Sequence, residues 1–412
     1  MHAAAHSPVD AGPAWRRLVA ALALGTLGGV GMWSVVVALP AVQADFGVDR
    51  GSASLPYTLT MIGFGVGGIL MGRLTDRFGV ARPLALAIVG LAAGYVLAGL
   101  APSLLAYALA QGLLIGALGS SAFFGPLMAD ISHWFERRRG LAVSIVACGN
   151  YLAGTVWPPI VQHLIETIGW RQAHIGIGVF CLLTMLPLTL AMRRRPPHAT
   201  AHPTPAAAAA ANARYARPLG FAPNTLQTLL IVAGVACCVA MSMPQVHIVA
   251  YCGDLGYGAA AGAQMLSLML GFGIVSRLAS GWIADRIGGL RTLLLGSLLQ
   301  GVALLLYIPF NDLWSLYVIS ALFGLFQGGI VPSYAIIVRE HFAPKEAGSR
   351  VGLCVMATLF GMALGGWLSG EVFDLTGSYT AAFINGVLWN LVNLSVVLWL
   401  LRRPARAVPR AA

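Results

Sequence analysis

Long apolar segments separated by short charged ones dominate the pattern of this chain. A membrane-spanning helix needs roughly 20 apolar residues, and most of the charge-free runs reach or approach that length. The run 83–129 is long enough for two spans, with a bend expected at Pro102 and Ser103. The pattern therefore predicts twelve spans, numbered here in chain order. The runs free of Asp, Glu, Lys and Arg are 18–44, 51–72, 83–129, 140–165, 172–192, 218–253, 255–276, 292–311, 313–338, 351–370 and 375–401.

Composition identifies the solvent in which these segments fold. The chain is 58% hydrophobic and 9% charged, with a mean hydropathy of +0.80, whereas soluble domains carry about 25% charged residues. The alternating pattern of membrane β-barrels is absent. We therefore predict an all-α membrane protein. The six Cys residues lie in or beside spans without metal-ligand spacing, so we expect them to be small apolar filler, with no metal and no cofactor.

The basic residues predict the orientation of the spans. Of the 25 Lys and Arg, 22 fall on one set of flanks, and the opposite flanks hold only Arg50 and Arg171. Cytoplasmic flanks collect Lys and Arg, so both termini are predicted to be cytoplasmic. The net charge of +11 then reflects topology, and no nucleic acid is needed to explain it. With no clear signal-cleavage site, we expect a multi-pass protein of a bacterial inner (plasma) membrane.

The chain consists of two related halves. A shift of 209 residues matches residue types across them without a gap, which predicts two copies of a six-helix unit, a plan used by one large class of transporters. The matched pairs are Asp45 and Asp254, Gly47 and Gly256, Gly72 and Gly281, Asp76 and Asp285, Arg77 and Arg286, Gly79 and Gly288, Arg82 and Arg291, and Leu84 and Leu293.

Domain boundaries follow from this repeat and from a Pro-, Ala- and Arg-rich segment between the halves. Such a segment is typical of a linker without a packed core. The predicted organisation is a cytoplasmic tail (1–15), a six-helix bundle (16–192), a cytoplasmic linker (193–224), a second six-helix bundle (225–402) and a cytoplasmic tail (403–412).

The repeated charged loop is the first candidate functional feature. Its carboxylate and guanidinium groups can pair with each other or cap neighbouring helices. Contacts that form in one conformation and break in another would bias a two-state equilibrium, so we predict gating in addition to topology. The residues involved are Gly72, Asp76, Arg77, Gly79 and Arg82 between spans 2 and 3, and Gly281, Asp285, Arg286, Gly288 and Arg291 between spans 8 and 9.

This pattern, Gly-x-x-x-Asp-Arg-x-Gly at both places, resembles the major facilitator superfamily over 16–402. The resemblance implies two six-helix bundles, a mid-membrane substrate cavity lined by spans 1, 4, 7 and 10, and alternating access. A narrower resemblance, to the monocarboxylate transporter and oxalate/formate antiporter branch, rests on the segments Trp134 to Gly154, Val246 to Gly258 and Ser276 to Gly288.

Arg277 is the one basic residue that belongs to neither flank. It precedes Asp285 by eight residues on span 8, about 12 Å further from the cytoplasm. A charge there costs at least ~2.5–3.5 kcal/mol, and all 14 Asp and Glu fall at span ends or in loops. We therefore predict that Arg277 recognises a planar carboxylate; the alternative is an Arg satisfied by helix carbonyls and water. The monocarboxylate-like branch carries an Arg at the matching place, which implies the same role.

The sequence also departs from the animal members of that branch. They pair this Arg with an acid four residues earlier, where this chain has Gly273, and they carry a Lys late in span 1, which is absent here. His247 is the titratable candidate for a substrate or proton role. The other candidates for substrate contact are Trp33, Phe124, Asn150, Tyr151, Gln245, Gln327 and Tyr334.

We therefore expect a secondary transporter of a small organic anion, monomeric and not an enzyme. The coupling species, a proton, sodium or a counter-anion, is left open. The alternative is a facilitator-superfamily exporter of drugs or a carrier of neutral metabolites, although cation export usually needs a membrane carboxylate and sugar sites need several polar groups. An intramembrane enzyme or sensor is disfavoured because no zinc motif, nucleophile elbow or nucleotide-binding loop is present.

Overall fold

The computed structural model describes residues 12–135, 138–194 and 218–402. Twelve helices in these ranges are long and apolar enough to cross a membrane, which confirms the predicted number of spans. In chain order the spans are Gly12–Phe46, Arg50–Phe78, Ala81–Gly99, Leu104–Ser132, Gly140–Ile168, Trp170–Met192, Pro223–Asp254, Ala259–Ile287, Gly289–Leu306, Leu313–His341, Glu346–Thr376 and Tyr379–Leu401.

Several spans are divided into shorter helices. Span 4 passes from α-helix through a π-helical stretch and a 3-10 turn before its last helix, and span 10 is interrupted at two glycines. The segments are Gly12–Gly28 and Val30–Phe46 in span 1; Leu104–Leu109, Ala110–Gly119, Ser120–Phe123 and Gly125–Ser132 in span 4; Arg139–Ala147 and Gly149–Ile168 in span 5; Trp170–Leu188 and Thr189–Met192 in span 6; and Leu313–Gln327 and Ile330–His341 in span 10. A short 3-10 turn, Pro218–Gly220, precedes span 7.

Contacts group the chain into two compact units. The first unit comprises the described residues of Met1–Thr200 together with His247–Gly271, and the second comprises those of Ala201–Val246 and Phe272–Ala412. This grouping follows contacts, whereas the predicted domains follow the repeat, so the boundaries at 192 and 225 stay predictions. Much of the predicted tails and linker lies outside the described residues: 1–11, 195–217 and 403–412.

The repeat is visible in backbone geometry within each unit. Gly79 has φ 77° and ψ 165°, and Gly288, its partner by the 209-residue shift, has φ 82° and ψ 163°. Only glycine adopts such a conformation readily. The helix caps match as well, because the side chain of Ser103 accepts from the Ala106 N–H at 3.3 Å and that of Asp312 from the Ser315 N–H at 3.0 Å.

Small residues bring spans 2 and 4 into backbone contact. A Cβ added at Gly116 would lie 2.6 Å from the carbonyl oxygen of Thr60, so no larger residue fits without a shift of the backbone. Close approach of this kind is typical of helix packing in membranes, where van der Waals contact replaces the hydrophobic driving force.

A buried ion pair joins spans 1 and 4. The Arg17 guanidinium binds both oxygens of Asp130, with Nε–Oδ2 at 2.7 Å and Nη2–Oδ1 at 2.8 Å. Nη2 also donates to the carbonyl oxygen of Met192 at 3.1 Å, and the Trp134 ring lies 4.6 Å from the guanidinium carbon. Arg17 is 3% exposed and Asp130 is 6% exposed. The sequence placed Arg17 only on a charged flank, and its burial and partner are new findings.

Replacing Asp130 with Asn should destabilise the first unit strongly. The change leaves the Arg17 charge buried without its carboxylate, which typically costs about 3–5 kcal/mol. The measurement is thermal unfolding of the purified protein in detergent. The matched control is Glu346→Gln, which removes a 55% exposed carboxylate paired with Arg350 and should cost less than about 1 kcal/mol. Equal shifts in the two variants would show that the buried pair is not a principal stabilising contact.

Candidate functional site

Arg277 lies within span 8, half-buried, in the second unit. Its Nε donates to the carbonyl oxygen of Gly328 on span 10 at 3.4 Å. This carbonyl is available because Pro332 stands four residues later and has no N–H with which to close the helical hydrogen bond. The local sequence of span 10 therefore supplies an acceptor for the membrane arginine, and the contact fixes one edge of the planar guanidinium.

Close packing of spans 8 and 10 accompanies this contact. A Cβ added at Gly328 would lie 2.9 Å from the Ser276 side chain and 3.0 Å from the carbonyl carbon of Gly273. Gly328 and Gly329 also separate the two helices of span 10. Gln327, one of the predicted substrate contacts, ends the first of these helices and is fully buried. Gln327 therefore directly precedes Gly328, whose carbonyl accepts from Arg277.

Tyr334 belongs to a separate polar network in the second unit. Its hydroxyl donates to the side-chain oxygen of Asn393 at 3.3 Å and to the sulfur of Cys237 at 3.5 Å. Asn393 donates in turn to the Ser297 hydroxyl at 2.7 Å. Every member of this network is buried, so the Tyr334 hydroxyl is engaged in joining spans. Gln245 on span 7 is also buried, at 3% exposure.

Two candidates of the first unit contact each other. The Trp33 indole N–H donates to the backbone oxygen of Asn150 at 3.1 Å, which joins span 1 to span 5. The side-chain oxygen of Asn150 is buried without a hydrogen-bond partner among the described residues. Tyr151 is buried beside it, and Phe124, at the last break of span 4, lies 6.2 Å from the Phe64 ring, centroid to centroid.

His247 and the residues up to Gly271 pack with the first unit. His247 is 1% exposed. The Ser267 hydroxyl donates to the carbonyl oxygen of Thr155. Pro159 stands four residues after Thr155 and has no N–H, so this carbonyl also lacks its usual helical donor. Both units therefore contain a backbone carbonyl that lacks its helical donor because of a proline and accepts from a side chain instead. Sequence reasoning missed both contacts, although the prolines were a usable signal.

The two basic residues on the flanks predicted to be non-cytoplasmic have acidic partners. Arg171 pairs with Asp45 at 2.8 Å, and Arg50 pairs with Asp254 at 3.1 Å. The repeat had matched Asp45 with Asp254, but it gave no sign of their partners.

Asp49, which caps span 2, has its pKa lowered by hydrogen bonds from the Ser52 hydroxyl and N–H.

The repeated loops have the same backbone shape but no internal ion pair in the described ranges. Asp76 and Asp285 are exposed and have no ion-pair partner there. The guanidinium of Arg286 stacks on the Trp282 ring at 3.3 Å, and that of Arg77 lies 5.2 Å from Phe78. The gating role of these loops stays a prediction.

Within the part of the chain that the structure describes, no three His, Cys, Asp or Glu come together as metal ligands.

Comparison with known proteins identifies the family. The profile of the Major Facilitator Superfamily matches residues 21–313 and 279–412. Monocarboxylate transporter 13 of Bos taurus is 29% identical over 410 residues, which cover 95% of this chain and 90% of that protein. The uncharacterized MFS-type transporter YcxA of Bacillus subtilis (strain 168) is 28% identical, with 87% and 88% covered.

Solved structures agree on the fold. A bacterial homolog of the human lysosomal transporter Spinster, in an inward-facing and occupied conformation, matches with a TM-score of 0.70 at 14% identity. The match covers 94% of this chain and 96% of that one. The chain is thus a multi-pass membrane transporter of small molecules rather than an enzyme, and it belongs to the Major Facilitator Superfamily, in the branch of the monocarboxylate transporters.

Proposed function

We propose that the protein is a secondary active transporter of a small organic anion, monocarboxylate-like, that works by alternating access. Arg277 is its carboxylate counter-charge. The membrane is the inner (plasma) membrane of a bacterial cell, with the arginine-rich flanks in the cytoplasm, and the protein works as a monomer. The observation that carries this proposal is the position of Arg277 within span 8, with Nε directed to Gly328.

The chemistry of the guanidinium favours an anion. A cation at this depth costs several kcal/mol in lipid, and a carbonyl such as that of Gly328 carries no net charge. A guanidinium suits a substrate carboxylate because its planar fork can bind both carboxylate oxygens. A carboxylate ligand would therefore bring a negative charge to this guanidinium, whose apolar run on span 8 contains no Asp or Glu.

The relatives support the substrate class. Two of the curated relatives are named monocarboxylate transporter 13 and 11, at 29% and 28% identity. The names describe those relatives, and we use them as support for the proposed substrate class of this chain. We propose that Gln245, Gln327 and Tyr334, which belong to the same unit as Arg277, shape the substrate site around this charge. Substrate contact by Trp33, Asn150, Tyr151 and Phe124 of the first unit stays a prediction.

Replacing Arg277 with Lys should impair transport by about tenfold or more. The charge is kept, but the planar fork and the Nε contact with Gly328 are lost. The measurement is uptake of labelled carboxylates into liposomes that contain equal amounts of inserted protein. Arg339→Lys, at an exposed position, is the matched control and should transport normally. Wild-type apparent affinity in the Arg277 variant would exclude bidentate recognition.

Replacing His247 with Gln tests the proton. If His247 carries it, the variant should lose accumulation driven by a pH gradient but retain exchange of internal for external substrate, because exchange requires only loaded turnover. Both assays use the same liposome preparation, so insertion is controlled internally. Undiminished pH-driven accumulation would eliminate His247 as the carrier and leave obligate exchange or a protonated substrate.

Replacing Asp76 with Asn tests the gating proposal for the repeated loops. We expect substrate binding in detergent to be retained and transport turnover to fall several-fold, because only the balance between conformations is disturbed. Asp285→Asn should behave in the same way, since the repeat relates the two positions. A parallel loss of binding and turnover would leave the gating role without support.

A further inference from the structure

We propose that the first unit carries a second anion site, for a phosphate group, at the predicted cytoplasmic ends of its spans. A cavity of about 460 Å³ lies there. The loop between spans 2 and 3 lines one side with Val80 and Arg82, and the end of span 6 lines another with Arg193 and Arg194. This cavity is separate from the Arg277 contact, which belongs to the second unit, and the proposal does not depend on the transported substrate.

The lining is strongly basic. Arg82, Arg193 and Arg194 are exposed, and no hydrogen bond or ion pair joins their side chains to any other described residue. Among the described residues, Asp130 is the one acid that lines the cavity, and both of its oxygens are bound by Arg17, at 2.7 and 2.8 Å. The carboxylate is therefore already neutralised, and three positive charges line the space without a counter-charge from the part of the chain that the structure describes.

The second repeat shows an anion at the matching position. There, the Glu340 carboxylate binds the backbone N–H of Gly289 at the start of span 9, with oxygens at 3.0 and 3.2 Å. The 209-residue shift matches Gly289 with Val80, and the glycines that precede these residues, Gly288 and Gly79, have nearly identical φ and ψ. The chain thus enters both helices through a glycine of the same conformation, although the helix of the first repeat begins one matched position later, at Ala81. In the described structure a side-chain carboxylate caps only the helix of the second repeat.

The asymmetry has a structural cause. In the first repeat the acid nearest this place, Asp130 on span 4, is held by Arg17, and no side chain caps the helix that starts at Ala81. Val80 and Ala81 line the cavity instead. The helix start that a carboxylate caps in the second unit therefore borders a cavity lined by arginines in the first.

A phosphate group fits this chemistry best. Guanidinium groups bind phosphate oxygens bidentately, helix N-termini bind phosphate through backbone N–H groups, and basic pockets between spans on the cytoplasmic side bind anionic headgroups. The phosphate can come from an anionic phospholipid or from a soluble phosphate. Either source would neutralise the arginine cluster and hold spans 3 and 6 together at this end.

The experiment measures ligand-dependent thermal stabilisation of the purified full chain in detergent. The probes are short-chain phosphatidylglycerol, diacylglycerol of the same chain length as the control without phosphate, and inorganic phosphate. The test variant is Arg193→Gln with Arg194→Gln. The matched control is Arg339→Gln with Arg402→Gln, which removes the same charge from exposed positions outside the cavity.

We expect phosphatidylglycerol to stabilise the wild type well above diacylglycerol. Its apparent affinity should fall about tenfold or more in the test variant and remain within about twofold in the control variant. Stabilisation by inorganic phosphate alone, lost in the same variant, would assign the site to a soluble phosphate, and its failure beside a clear lipid effect would assign it to a headgroup.

Three results would overturn the proposal. Equal stabilisation by phosphatidylglycerol and diacylglycerol would mean that the phosphate is not recognised, and equal losses in the two variants would reduce the effect to general surface charge. No response to either phosphate-bearing probe would also exclude the site. If the test variant does not fold, the single variants Arg193→Gln and Arg194→Gln are measured in its place, and an unchanged phosphatidylglycerol affinity in both would overturn the proposal.

Discussion

The absence of water in the bilayer core is the constraint on which this structure depends. Each backbone carbonyl and each charge inside the spans must find its partner within the protein, because none is available from lipid. The chain meets this requirement near two prolines of its helices with side chains from other spans. Pro159 deprives the Thr155 carbonyl of its helical donor and the Ser267 hydroxyl replaces it, while Pro332 does the same to Gly328, whose carbonyl takes Arg277.

The same constraint distinguishes Arg17 from Arg277. Arg17 has a bidentate carboxylate, a backbone oxygen and an aromatic ring around it, so its charge is compensated within the protein, as befits a structural contact. Arg277 has the Gly328 carbonyl as its hydrogen-bond acceptor on span 10, and no Asp or Glu lies in the apolar run of span 8. A guanidinium within an apolar run is suited to meet an anionic substrate, whereas Arg17 already binds a carboxylate, and this contrast is why Arg277 is proposed to bind the substrate.

Sequence reasoning predicted the fold well because its signals are local. Span number follows from run length, and the bend at Pro102 and Ser103 follows from turn chemistry; the structure places it between Gly99 and Leu104. Partners were harder to predict because they lie far apart in sequence. Arg17 and Asp130 are 113 residues apart, and each stands at the end of an apolar run, where sequence does not reveal depth. Tyr334 was predicted as a substrate contact from its residue type and its place in span 10, and only the structure shows its hydroxyl engaged by Asn393.

The central claim is that the protein recognises the charge of a carboxylate within the membrane. The experiment that tests this compares transport of an acid with transport of its neutral amide, for example lactate and lactamide, in liposomes that contain the purified protein. The acid panel also includes formate, pyruvate and oxalate. The pH is imposed as a variable. We expect saturable uptake of at least one acid, unlabelled acid but not amide to compete with it, and no protein-dependent uptake of the amide. Equal transport of an acid and its amide, or no uptake of any acid in the panel, would contradict the account.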